Sequence, residues 1–148
     1  MLGLAGLNPL APALADEIVA DPQAITQCLC MQKAAETSKK DLDAATASWQ
    51  QATQRAASLR QQVNQQRPNL NVNDPAAVEA FTKLVHDADT AEIDLNNVSV
   101  PAYNAAVTSY GQAAAAENNA CAGRQFDVAA MRQVRINLNT GLAVCPKP

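Results

Sequence analysis

Residues 22 to 66 carry an apolar repeat that leaves a chain like this few choices of fold. Ala24, Cys28, Met31, Ala35, Ser38, Leu42, Ala45, Trp49, Ala52, Ala56, Leu59 and Val63 recur at steps of four and three. A 3.5-residue period held for about six heptads is a coiled-coil seam rather than the broader stripe of a globular-core helix. Asp21 and Pro22 open the segment with an acceptor for orphan N–H groups and a proline at the first helical position. Pro68 closes it. At 1.5 Å per residue the helix would run roughly 65 Å. One edge would stay wet unless another helix covered it.

The covering helix is legible further on. Asn69 to Asn73 is polar and turn-like, and Asp74-Pro75 repeats the signal of Asp21-Pro22. Ala77, Phe81, Leu84, Ala88, Ala91, Leu95 and Val98 then form a second seam at the same steps. A short connection favours antiparallel neighbours. Asn96 to Pro101 disturbs the pattern with poor helix formers and a proline, which predicts a kink or short break. Beyond it, Tyr103, Val107, Tyr110, Ala114, Glu117 and Cys121 resume the spacing in a shifted register, so a stutter is expected near Pro101. Gly123 is the expected stop. The tail, residues 124 to 148, reads as a short helix through Phe126, Ala130, Val134 and Leu138, closed by Gly141. A strand at Val134 to Leu138 is the alternative, disfavoured because it has no sheet to join. The expected fold is all-α: a long antiparallel helical hairpin, coiled-coil-like, with a short C-terminal helix or extended return, stapled by two disulfides.

Four cysteines carry the most specific chemistry in the chain. Cys28 and Cys30 sit two apart on one helix and point about 200 degrees away from each other, so each must pair elsewhere. That leaves Cys28–Cys121 with Cys30–Cys145, or Cys28–Cys145 with Cys30–Cys121. The first is favoured, because Cys28 and Cys121 both lie on seams. A symmetric hairpin centred near residue 70 would leave Cys28 about 12 Å along the axis from Cys121. A break near Pro101 or a bulge is expected to absorb that offset. A tetrahedral zinc site is disfavoured, since structural sites present two CxxC-like knuckles and this chain offers one CxC and two isolated cysteines.

Residues 1 to 15 are read as a signal peptide or its remnant. The stretch is apolar apart from Asn8, and Ala13-Leu14-Ala15 gives a small-x-small site before Asp16. Against this, no Lys or Arg precedes the apolar run. The mature chain would be one disulfide-stapled helical domain, residues 16 to 148, in an extracytoplasmic setting, periplasmic or secreted. No later run approaches the roughly 20 apolar residues of a membrane span. Hydrophobic residues make up 48% of the chain but aromatic ones only 3%, much of the remainder being alanine. Such a core buries little area per residue, which is why extra stapling is expected.

A formal net charge of −3 argues against nucleic-acid binding, and the cluster Arg124, Arg132 and Arg135 is too small to reverse it. His86 is the only histidine, and Asp87, its neighbour, projects elsewhere, so His86, Asp87 and Asp89 form no acid–base or metal set by pattern. No phosphate-cradling glycine loop or base-paired nucleophile is present. Trp49, Phe81, Tyr103 and Tyr110 are expected in the core. Asn97-Val98-Ser99 matches a glycosylation triplet, a weak signal of three residues. Glu36 and Lys40 are placed for an ion pair. No catalytic residue, cofactor or metal is expected. The chain reads as an exported, non-catalytic helical interaction or structural protein with a protein partner, its Ala-rich seams leaving self-association open. The alternatives are a small-ligand carrier around Trp49, Phe81 or Tyr103–Tyr110, an enzyme inhibitor, and a membrane-surface binder.

Overall fold

The computed structural model describes residues 17–146, so the expected signal segment lies outside the described residues. Its elements are β1 (Ile18–Val19), α1 (Pro22–Gln66), a 3-10 turn (Arg67–Asn69), α2 (Pro75–Asp94), a π-helical turn (Leu95–Ser99), α3 (Val100–Cys121), β2 (Gln125–Phe126) and α4 (Val128–Thr140). The fold is all-α, with two long antiparallel helical arms and a shorter C-terminal helix, cross-linked by two disulfides. By packing, the chain divides into a hairpin unit, Met31–Asn119, and a second unit made of the residues up to Cys30 with those from Ala120 onward.

α1 starts where the sequence places it. Asp21 accepts hydrogen bonds from the Gln23 and Ala24 N–H groups, at 3.2 and 3.0 Å, satisfying donors that the first turn leaves open. Every residue of the expected α1 seam is at least partly shielded from solvent, and Cys28, Ala35, Ala56 and Val63 are buried. Asp74 caps α2 in the same way, accepting from Ala76 and Ala77. Its seam residues Ala88 and Ala91 are buried.

Within the hairpin unit the facing register is fixed by two contacts. Arg60 on α1 reaches Asp89 and Glu92 on α2, and Trp49 stacks on Tyr103 of α3 with ring centroids 5.0 Å apart. Both place the hairpin's effective centre near residue 75 rather than 70, and the Arg60 contact does so before the chain reaches Pro101. The register offset expected to be absorbed near Pro101 is therefore absorbed in the connection, by the 3-10 turn and the non-helical stretch up to Asp74. A 3-10 turn climbs about 2 Å per residue against 1.5 Å for an α-helix, and extended residues climb further.

Pro101 acts differently from a simple break. It has no N–H to donate to the Asn97 carbonyl, and its ring would collide with that carbonyl in a regular helix. The turn before it widens instead, and the Val100 N–H bonds to the Leu95 carbonyl, five residues back. One extra residue per turn advances the seam by one position. Continued four-three spacing from Leu95 would face Val98, Ala102, Ala105, Ser109 and Gln112 inward, and all five are exposed. Ser99, Tyr103, Ala106, Tyr110 and Ala113, each one residue on, are shielded instead. Val98, expected on the seam, is accordingly 63% exposed, and Val107, also expected there but one residue past shielded Ala106, is 42% exposed. The stutter and its one-residue size were legible in the five-residue step from Val98 to Tyr103, and the continuation through Ala106 rather than Val107 was not.

The second unit is small. Ile18–Val19 pair in parallel with Gln125–Phe126, and the Asp127 N–H extends the ladder to the Val19 carbonyl at 2.9 Å. This short bridge has no periodic signature in the sequence. Asp127 then caps α4 by accepting from the Ala130 N–H at 2.8 Å. Gly141, at φ 76°, supplies the left-handed residue that ends it. Residues 134 to 138 are thus helical, and Phe126 belongs to the strand before the helix. Among the described residues of this unit, Ile25, Cys28, Cys30, Ala120 and Val134 are buried. So little apolar area leaves the cross-links a large share of its stability.

Replacing Cys28 and Cys121 together with alanine should cost about 2–4 kcal/mol. Backbone hydrogen exchange should accelerate at residues 23–31 and 117–142, and less at residues 59–81. Uniform acceleration along the chain would show that the bridge stabilises the whole molecule rather than this unit.

Candidate functional site

All four cysteines are paired, Cys28 with Cys121 and Cys30 with Cys145. The Cα–Cα separations are 5.1 and 5.4 Å, within the range a disulfide spans. The cause is helical: two residues apart, Cys28 and Cys30 leave α1 in different directions, one toward the end of α3 and the other toward the segment after α4. The sulfurs are thus spent as cross-links, and none is a thiolate able to act as nucleophile or metal ligand.

Some charged groups of the hairpin unit are paired. Arg60 donates from Nε to Glu92 at 2.8 Å and from its terminal nitrogen to Glu92 and Asp89 at 2.6 and 3.0 Å. This fork raises the Arg60 pKa further, chiefly through its hydrogen bonds to Glu92 and then Asp89, and the Glu92 carboxyl is held below its ordinary value by the bond from Arg60. Lys83 pairs with Asp87 at 2.7 Å and lowers that carboxyl likewise. Lys39 pairs with Asp43 four residues on, whereas the expected Glu36–Lys40 pair does not form. Asp89 and Glu92, three apart on one helical face, were the sequence signal for a bridging arginine.

His86 is exposed, Asp87 is held by Lys83, and Asp89 by Arg60, so the three do not converge. Among the described residues no group of three or more His, Cys, Asp or Glu side chains is placed to hold a metal ion. Trp49, Phe81, Tyr103 and Tyr110 are all half-buried. Trp49 on α1 stacks on Tyr103 of α3. Asn97 is exposed in the π turn.

Open grooves mark the surface of the described residues. One of about 390 Å3 is lined by Ala35, Glu36, Lys39, Lys40, Tyr110 and Glu117, where small seam residues leave room and Glu117 puts a carboxylate at a seam position. A second, about 470 Å3, is lined by Asp89, Glu92, Ile93, Asn96 and Asn97 beside the π turn. A third, about 690 Å3, runs along α4 past Val128, Arg132 and Ile136. No described helix is long and apolar enough to cross a membrane. No protein-family model, curated protein or solved structure matches the chain.

The ion pairs generate a pH dependence with a definite sign. Glu92 and Asp87 titrate lower in the folded chain than their ordinary values of 4.5 and 3.8. Their contribution is thus complete above those values and is lost as the pH falls through the lower folded-state values. Arg60→Met should lower the urea midpoint at pH 7 and lower it much less at pH 2.5. An equal loss at both pH values would assign the effect to packing of the arginine stem.

Proposed function

We propose that this is an exported, non-catalytic helical interaction or structural protein whose partner is another protein. The observation that carries the reading is the complete use of four cysteines in two cross-links, Cys28–Cys121 and Cys30–Cys145. Disulfides persist in oxidising compartments, and a small-core unit that depends on them suits such a setting. Exposed apolar residues on a cross-linked scaffold support an interaction role. Ile18, Val128, Leu142 and Val144 all stand well out of the surface of the disulfide-closed unit. A preorganised surface binds without an ordering cost.

A second reading, a small-ligand carrier, draws on the groove beside Tyr110, where an aromatic ring, two lysines and two glutamates surround an open space. Mixed charge around an aromatic wall suits a polar, partly apolar molecule better than a lipid.

A pull-down from the extracytoplasmic fraction, using oxidised protein without reductant, separates the two. The interaction reading expects one partner protein retained in stoichiometric amount and released on reduction. Retention of no protein, with one stoichiometric small molecule in native mass spectrometry, would transfer the assignment to the groove beside Tyr110. Finding the chain in the cytoplasm with four free thiols would overturn export.

A further inference from the structure

α4 presents to solvent a face that its own unit leaves uncovered. Val128, Arg132 and Ile136 recur at steps of four on the side opposite buried Val134, and Arg135 flanks them. Val128 is 83% exposed and Ile136 45%. Arg124, Arg132 and Arg135 are exposed, and among the described residues none takes part in an ion pair. Of the described carboxylates in this unit, Asp21 and Asp127 cap helices and Glu17 is exposed before β1. Arg132 and Arg135 thus set two unpaired positive charges beside two apolar side chains, with Asp127 the acidic residue that lines the same groove.

The hairpin unit carries the opposite pattern. From Asp74 to Asp94 it holds Asp74, Glu79, Asp87, Asp89, Glu92 and Asp94 against a single cation, Lys83. Beside the π turn, Asp89 and Glu92 share the one guanidinium of Arg60, which leaves a net negative charge, and Asp94 adds to it. Exposed Ile93 lines the same open groove, with Asn96 and Asn97 as polar partners. An acidic groove with an apolar contact point thus complements a basic helix face with two.

We propose that α4 of one molecule docks in the Asp89–Asn97 groove of a second copy of this chain, Ile136 or Val128 meeting Ile93 and the arginines facing the acidic surface. Two different surfaces meet, so the contact is heterologous and repeats from molecule to molecule. An anionic membrane is the weaker occupant of α4, because the chain's formal charge of −3 and its acidic α2 would be repelled by it. Complementary charge also fixes which surfaces meet and speeds their encounter.

Sedimentation velocity of the full, oxidised chain tests this at 50 and 500 mM salt over a range of concentrations. Mass should rise with concentration at low salt, with association about tenfold weaker or more at high salt, as screening of surface charge requires. Arg132→Glu with Arg135→Glu should remain a single copy, as should Asn96→Lys with Asn97→Lys. Mixing the two variants should restore association in pairs, because the lysine variant keeps the basic α4 and the glutamate variant keeps the acidic groove, and this rescue separates docking from misfolding. A wild-type chain of single-copy mass at every concentration overturns the proposal, as does association that survives in either variant alone. Should the chain stay single but bind phosphatidylglycerol vesicles through Arg132 and Arg135, α4 is a lipid-facing surface instead. Failure here leaves the protein-partner reading to the pull-down, since a chain that does not self-associate can still hold a different protein.

Discussion

Close approach of two long helices through an alanine-rich seam is the interaction on which the hairpin unit depends. Alanine lets the backbones come near and costs no side-chain entropy, but each residue removes little apolar area from water. Buried positions such as Ala35, Ala56, Ala88 and Ala91 therefore set the spacing, while a few large groups set the register. Trp49 on Tyr103 and Arg60 on Asp89 and Glu92 do the latter. An alanine seam alone would tolerate sliding by a heptad, since successive heptads look alike. A ring stack and a forked ion pair at fixed places do not tolerate it.

Shallow burial also explains why cross-links sit where they do. The unit that contains β1, β2 and α4 buries Ile25, Ala120 and Val134 together with Cys28 and Cys30, too little to hold a helix and two strand fragments by packing alone. Two disulfides restrict the unfolded chain over sequence separations of 93 and 115 residues, long loops for which the entropic model predicts large stabilisation. Because both bridges leave α1 within one turn, they clamp the end of α3 and the segment after α4 to the same stretch of helix. The exposed face of α4 is thereby held in place without being covered.

Charge is distributed unevenly along the sequence, and the fold keeps it uneven. The last half of α1 carries Arg55 and Arg60 and no acid, while α2 is strongly acidic. Some of that contrast is used internally by Arg60, and the remainder faces outward. Glu117 shows the same tension on the seam itself: a carboxylate at a position of the repeat that is only half-buried, lining a groove with Lys39 and Lys40. A charge there avoids a full desolvation cost only because the neighbouring alanines leave the site open to water.

Periodicity alone determined that residues 22–66 and 75–94 are helices with facing seams, because a four-three repeat has one geometric solution. Asp21, Asp74, Pro22 and Pro75 determined where they begin, since caps act within one turn. Spacing on a single helix reduced the cysteine pairings to two. What the tertiary structure decided was everything that needs a second element to define it. The π turn, which satisfies the Val100 N–H against Pro101, left Ser99 rather than Val98 shielded, and beyond it Ala106 rather than Val107 continues the seam. The connection's climb placed Arg60 opposite Asp89 and Glu92. The Ile18–Val19 pairing with Gln125–Phe126 left no pattern to read, because two residues carry no period and each strand exists only through the other.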